Sequence, residues 1–322
     1  MATSRIEEKI FGIKKEAVRG TAEASASSAR YLPLLPGSEV NFIPALLEDG
    51  KIYGDPQERQ AQPGVRDGSG TLELEPGADK LGELLNSLFG AVATDQPDFG
   101  GAPLVFRHRF TPADDPLHPL YTLFVDRKTT QKKYEGLSAN QMTFNVPVDG
   151  RIAVSADVMH KSEQAGAVLT PDFSADLDHL LFSDVKMFVA GAQSSIVRAG
   201  SVVLNNGSVR KRVLAQSRDA ADIVAGPFRA SGTFQMYFED EVERAKFIAT
   251  TSSSLKVLAE GQILQAAQKA TLELDMPLTK YDAGPIAEVD GILVQDFSFK
   301  AYRDPTAGYS CRATLINKET AY

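Results

Sequence analysis

Apolar and polar residues alternate with a period of two along most of this chain, the mark of half-buried strands. Alternation and a supply of β-branched and aromatic residues predict strands over 38–43, 51–53, 71–75, 104–110, 120–125, 141–148 and 151–159. Asp149-Gly150 reads as a hairpin turn between the last two, and Asn206-Gly207 as a second hairpin inside 201–213. Towards the end, 292–302 and 308–317 form another pair of strands, joined through Asp304-Pro305-Thr306-Ala307. The period then changes. Leu81, Leu84, Leu85 and Leu88 fall at i, i+3, i+4 and i+7, a helical face with Asp79 as its cap and Gly90 as its stop. Val242, Ala245, Phe247 and Ile248 make a shorter version after Glu239-Asp240-Glu241. The expectation is a mainly β chain of antiparallel sandwiches or curled sheets, with one short helix in each half.

The second half repeats patterns of the first. Gly70-Thr71-Leu72-Glu73-Leu74 has an echo in Gly232-Thr233-Phe234-Gln235-Met236, about 162 positions on. The segment from Gly136 to Phe144 is matched with the one from Gly291 to Phe299, and Thr122-Leu123-Phe124-Val125-Asp126 with Thr271-Leu272-Glu273-Leu274-Asp275. All three echoes keep the same order, so one domain written twice is the economical reading; the alternative is that any two β domains share turn-strand patterns. The expected organisation is an arm over 1–30, a first β domain over 31–170 and a second over 171–322. The arm ends in the small-residue run 22–29, which buries too little apolar area to order itself alone. It is either disordered or ordered against a neighbour. A long polar stretch over 54–67 reads as a loop with a functional role.

With 322 residues, each half is long enough to build a core without disulfide or metal. The single cysteine, Cys311, lies in a strand-like run and reads as a buried thiol. No apolar stretch has the length to span a bilayer, and residues 1–15 lack the apolar core of a secretion signal, so synthesis in the cytoplasm is expected. A net charge of −8 argues against holding nucleic acid by its phosphates. Its distribution is uneven. Between 185 and 218 there are six cations (Lys186, Arg198, Arg210, Lys211, Arg212 and Arg218) and no acid, whereas 67–126 and 239–243 lean acidic. Such opposite patches either set register between copies or are unrelated solvated faces. Chemistry is hard to find. His108, His118, His160 and His179 lack metal-ligand spacing, and His108 with Asp114, Asp115 and His118 surrounds a Pro-rich turn. Glu73 and Glu75 share a strand face, and Asn206-Gly207-Ser208 reads as turn chemistry. No catalytic, cofactor or metal residue is expected.

Several segments, taken in order, resemble one family. Lys15-Glu16-Ala17-Val18-Arg19-Gly20-Thr21 looks like the Lys-Glu-x-x-x-Gly-Thr opening of the major tail tube proteins of long-tailed, siphovirus-like bacteriophages, with Arg19 where an aromatic is common. The strand from Gly70 into the Leu81 helix, Phe110-Thr111-Pro112-Ala113, and Tyr134-Glu135-Gly136-Leu137 are similar to later segments of that family. The resemblance implies tube-type β-sandwiches whose edges join between neighbours in stacked rings, a virion tail component assembled in the host cytoplasm. With two such domains per chain, it implies a trimer of pseudo-sixfold symmetry. Partners would be other copies and other tail proteins (tape measure, terminator, distal tail), with genome DNA passing through the lumen unbound and no membrane involved. The alternatives are a hub or distal ring of the same fold, or a β-sandwich hydrolase.

Overall fold

The computed structural model describes residues 8–51, 60–174, 176–214, 217–239, 245–246, 248–289 and 291–322. The first half contains β1 (Ile10–Lys15), β2 (Arg30–Leu32), β3 (Glu39–Leu47), β4 (Gln62–Leu74), α1 (Gly82–Phe89), β5 (Gly90–Asp95), β6 (Phe106–Pro112), β7 (Tyr121–Asp126), β8 (Gln131–Val146), β9 (Ala153–His160) and β10 (Ser162–Ala165). The second contains β11 (Val185–Val189), β12 (Ala192–Gln193), β13 (Val197–Asn205), β14 (Val209–Lys211), β15 (Asp222–Val224), β16 (Arg229–Tyr237), β17 (Ser253–Gln265), β18 (Gln268–Ala283), β19 (Ile286–Val289), β20 (Ile292–Ala301) and β21 (Arg312–Asn317).

One broad antiparallel sheet crosses both halves. It runs β3–β4–β9–β8–β13–β16–β20 and ends on the last residues of β18 continued by β19. Two smaller sheets cover its apolar side, β2–β1–β7–β8–β10 in the first half and β12–β11–β17–β18–β21 in the second, the latter extended by β6 and β5 of the first half. The 16-residue strands β8 and β18 each serve two sheets, and each changes sheet at a bulge. Between the layers lie Val40, Leu72, Leu74, Met142, Phe144, Val154 and Val158, then Val202, Leu204, Phe234, Phe297 and Phe299, in one continuous core. Period-two alternation makes this possible, since every second residue of β9 and β16 is buried.

The halves match in the strands of the broad sheet and in the main strands that cover it, while β5, β6, β14 and β15 stand outside the match. Val40 faces Gly70 on β3–β4, and Val202 faces Gly232 on β13–β16. The bulge between Ala139 and Gln141 opposite β9 recurs between Tyr281 and Ala283 opposite β20. The bulge between Tyr121 and Leu123 on β7 recurs between Ser253 and Leu255 on β17. So β7 answers to β17, β8 to β18 with β19, and β9 to β20. The second and third sequence echoes are therefore one strand out of step: they equate β8 with β20 and β7 with β18.

Other expectations also change. The segment taken for an arm is woven into the sheet along 10–15 and 30–32, with Phe11 and Ile13 at 5% and 1% exposure. Six of the residues placed in the 54–67 loop, 62–67, already belong to β4, and 52–59, which includes part of the strand placed at 51–53, lies outside the described residues. Asn206-Gly207 does not close a hairpin. β13 pairs with β8 and β16, while among the described residues β14 pairs only with β15, because the Asn206 amide bonds core carbonyls. The two C-terminal strands, β20 and β21, do not form a hairpin; they pair with successive stretches of one edge of β18. The α1 cap is Leu81, not Asp79, and all eight α1 residues are buried, so the helix has no solvated face. Gly90 does end it, at φ +83. Of the second helix, Val242 and Phe247 lie outside the described residues; residues 245, 246 and 248 are helical, and the Ala249 N–H donates to the Ala245 carbonyl.

Candidate assembly surface

The face of the broad sheet that points away from the core is polar. Ser69, Thr71 and Glu73 on β4, Ser155 and Asp157 on β9, and Gln141, Thr143 and Asn145 on β8 alternate with the buried residues. Ser201 and Asn205 on β13, Ser231, Thr233 and Gln235 on β16, and Asp296 and Ser298 on β20 continue it. Cross-strand hydrogen bonds knit this face: Thr71 to Asp157 at 2.9 Å, Asn205 to Gln141 at 2.9 Å, Ser201 with Thr233 at 3.1 Å and Gln235 to Asp296 at 2.7 Å. The first-half strip carries Glu39, Glu73 and Asp157; in the second, Asp282 and Asp296 are balanced by Lys280 and Lys300.

Both lateral borders of this sheet are open. Among the described residues β3 pairs only with β4, and β19 only with β20. Ile286 on β19 occupies the place that Phe144 holds on β8, as the partners Gln295 and Val154 show, yet it is 45% exposed against 2% for Phe144. The difference is the missing neighbour: β13 covers β8, and among the described residues nothing covers the outer side of β19. The β3–β4 hairpin extends past the sheet with Ile43, Leu46, Leu47 and Val65 exposed at 61%, 68%, 59% and 41%. Lone exposed apolar residues are ordinary, but four on one projecting hairpin make a contact surface.

The base of that hairpin is clamped by the basic ribbon β14–β15. Arg66 pairs with Asp219 at 2.5 Å, Arg212 with Asp67 at 2.6 Å, and Arg210 donates to the Gly68 carbonyl. The Arg19 guanidinium pairs with Asp222 and donates to the Ile223 carbonyl at 2.6 Å. That gives the Arg19 cation a structural role in holding the ribbon. Glu16 is the hinge-pin of the same region. Its carboxylate accepts from the Gly20 and Gly136 N–H groups, both at 2.7 Å, and from the Thr122 hydroxyl at 3.2 Å. Gly20 and Gly136 have φ of +73 and +67, so the Lys-Glu and Tyr-Glu-Gly segments are two sides of one joint. Burial pushes the Glu16 carboxyl above its ordinary range in spite of these donors.

The histidines stay apart. His108 is buried between the Thr94 hydroxyl and the Glu319 carbonyl, each at 2.9 Å, and burial lowers its pKa. His118 contacts the Ser87 carbonyl at 3.2 Å. His160 lies under Gly68 and Tyr134 and is pushed down to about 4 by burial, hence neutral. His179 contacts the Glu75 carbonyl, and Asp114 and Asp115 are exposed. Glu75 pairs with Arg151 at 2.7 Å, whereas Glu73 lies on the polar face. Cys311 is buried, which raises its thiol pKa. Sequence reasoning expected edges that join neighbours but missed which strands form the open borders, and missed the Glu16 joint, because both depend on which strands pair.

A family model described as phage tail tube protein matches residues 8–301. A search of curated proteins finds no match.

Proposed function

The chain belongs to the phage tail tube protein family, and on that footing we propose that it polymerises into stacked rings that form the tail's conduit for genome DNA. Its place is then the virion tail, assembled in the host cytoplasm beside other tail proteins, and its work is structural rather than enzymatic. The observation that carries this reading is the β8–β13 junction. There the border of the first half is paired with β13 of the second, Ser201 opposite Asn145 and Val202 opposite Phe144. Because β13 answers to β3 and β8 to β18 with β19, the same junction between chains joins β19 of one copy to β3 of the next. Copying the register puts Glu39 opposite Ala287 and Val40 opposite Ile286, which buries the exposed Ile286. Two tube-type units per chain then make a ring of three chains with pseudo-sixfold symmetry. Closure leaves no edge strand free to aggregate.

The polar face becomes the bore. Small hydroxyl and amide side chains there, opposite large apolar ones in the core, suit inward curvature, and its carboxylates repel phosphate so that DNA slides without binding. Replacing Glu39 and Ala287 by cysteine tests the ring. The pair falls within disulfide reach of adjacent antiparallel strands, and Cys311 is buried and does not compete. Oxidation is expected to give a covalent three-chain ring in denaturing gels and in native mass spectrometry. Six chains per ring, or monomers without cross-links, would exclude it.

A further inference from the structure

Resting on the assembly reading above, we infer that residues 164–174 of one copy make a second contact within the ring, against the stretch between β16 and β17 of the neighbouring copy. Within one chain the halves meet twice. β8 pairs with β13 in the broad sheet, and in the covering layer β6 of the first half pairs with β21, Arg107 opposite Ile316. The residues after β21 then lie across the start of α1. The Asn317 amide donates to the Ala78 carbonyl at 3.0 Å, and a Cβ on Gly82 would meet the Tyr322 ring at 2.0 Å. Between copies, the junction of β19 with β3 reproduces only the first of these two meetings.

The repeat locates the second meeting. Leu123 answers to Leu255, so Tyr134 answers to Met276 and Lys133 to Asp275. Lys133 faces Gln164 and Asp275 faces Arg312, so β10 holds the place of β21, and counting onward sets Val168 at Ile316. The surroundings differ. Among the described residues β10 pairs only with β8, whereas β21 lies between β18 and β6. Gln164, Ala165, Ala167 and Val168 are exposed, Val168 at 73%, whereas none of residues 312–317 is exposed. The rotation that carries the first half onto the second carries the second onto the first half of the next copy. It brings 164–174 of that copy to the stretch that follows β16, just as 312–322 lies on the stretch that follows β4. After β16 the chain runs to β17 without counterparts of β5 and β6 among the described residues, and Ile248 there is 66% exposed. One contact, Val168 of one copy against Ile248 of the other, takes both apolar side chains out of water.

Val168→Asp and Ile248→Asp each place a charge in this contact, and both side chains are exposed, so folding is retained. Each variant should raise the protein concentration at which half the chains are in rings by at least ~10-fold, read by native mass spectrometry, since an unpaired charge at a contact centre removes most of its binding. Val168→Lys combined with Ile248→Asp should recover most of that loss, because the two charges then pair. Unshifted ring formation in either aspartate variant, or no recovery in the combination, would overturn the contact. Val168→Cys with Ile248→Cys, joined by a short bismaleimide, supplies a check with little effect on folding: rings should yield cross-linked three-chain products. Only single chains, from rings in which the Glu39 and Ala287 cysteine pair does cross-link, would refute this contact and leave the ring standing. No rings from the wild-type chain and no cross-link from either pair would sink the assembly reading itself.

Discussion

Glu16 and Glu83 show how differently two buried carboxylates behave. Glu16 is tied by three donors that span the chain from Gly20 to Gly136. Glu16→Ala leaves the buried Gly136 amide and the half-buried Gly20 amide without an acceptor and is expected to cost about 2 kcal/mol in urea unfolding, with Glu16→Gln recovering part of it. Glu83, on the wholly buried α1, pairs with Arg30, which also bonds Glu319 at 2.7 Å and lies over the Tyr322 ring. Burial pushes Glu83 up to about 7 although the Arg30 charge opposes the rise. Between about pH 4.5 and 7 the folded chain therefore holds a proton that the unfolded chain has released. This group's contribution is complete below about pH 4.5 and is lost as pH rises through 7, a change of about 3 kcal/mol. Unfolding of wild type and Glu83→Gln across that range should show the decline in the former and a flatter profile in the latter.

At the scale of elements, the corner after β13 decides whether the second half has a long hairpin or a clamp. Buried Asn206 donates to the Leu88 carbonyl at 3.3 Å and the Ala139 carbonyl at 3.0 Å, and accepts from the Ser208 hydroxyl at 2.7 Å. Asn206→Ala strands those carbonyls; a loss of about 2–3 kcal/mol and loosened protection of β14–β15 in hydrogen exchange are the expected readouts. Strands and α1 were legible in the sequence because period two and the leucine spacing are direct images of burial. The Gly70 and Gly232 echo was legible for a steric reason: a Cβ at either would meet the neighbouring strand's carbonyl, Glu39 at 2.4 Å or Ser201 at 2.2 Å. The other two echoes slipped by a strand because alternation looks alike on every strand, and the bulges that fix the true match leave no mark in composition. β1 was missed for its short run of apolar residues, whose burial is supplied by β7 and β2.

For the whole molecule, the borders of the broad sheet matter more than any single side chain. Amide exchange should separate the free chain from the assembled one: residues 39–43 and 283–288 are expected to gain protection on assembly, while the β8–β13 amides are protected in both. Equal exchange in both states would deny that these borders meet a neighbour. The β3–β4 hairpin, which projects at one end of that sheet with its apolar residues exposed, carries a last consequence. On the assembly proposed above, a stack of such units reads differently in its two directions, since the hairpins all point one way. Growth from an initiator can then add subunits at one terminus alone, and whatever caps the finished column needs to recognise just one of two chemically distinct ends.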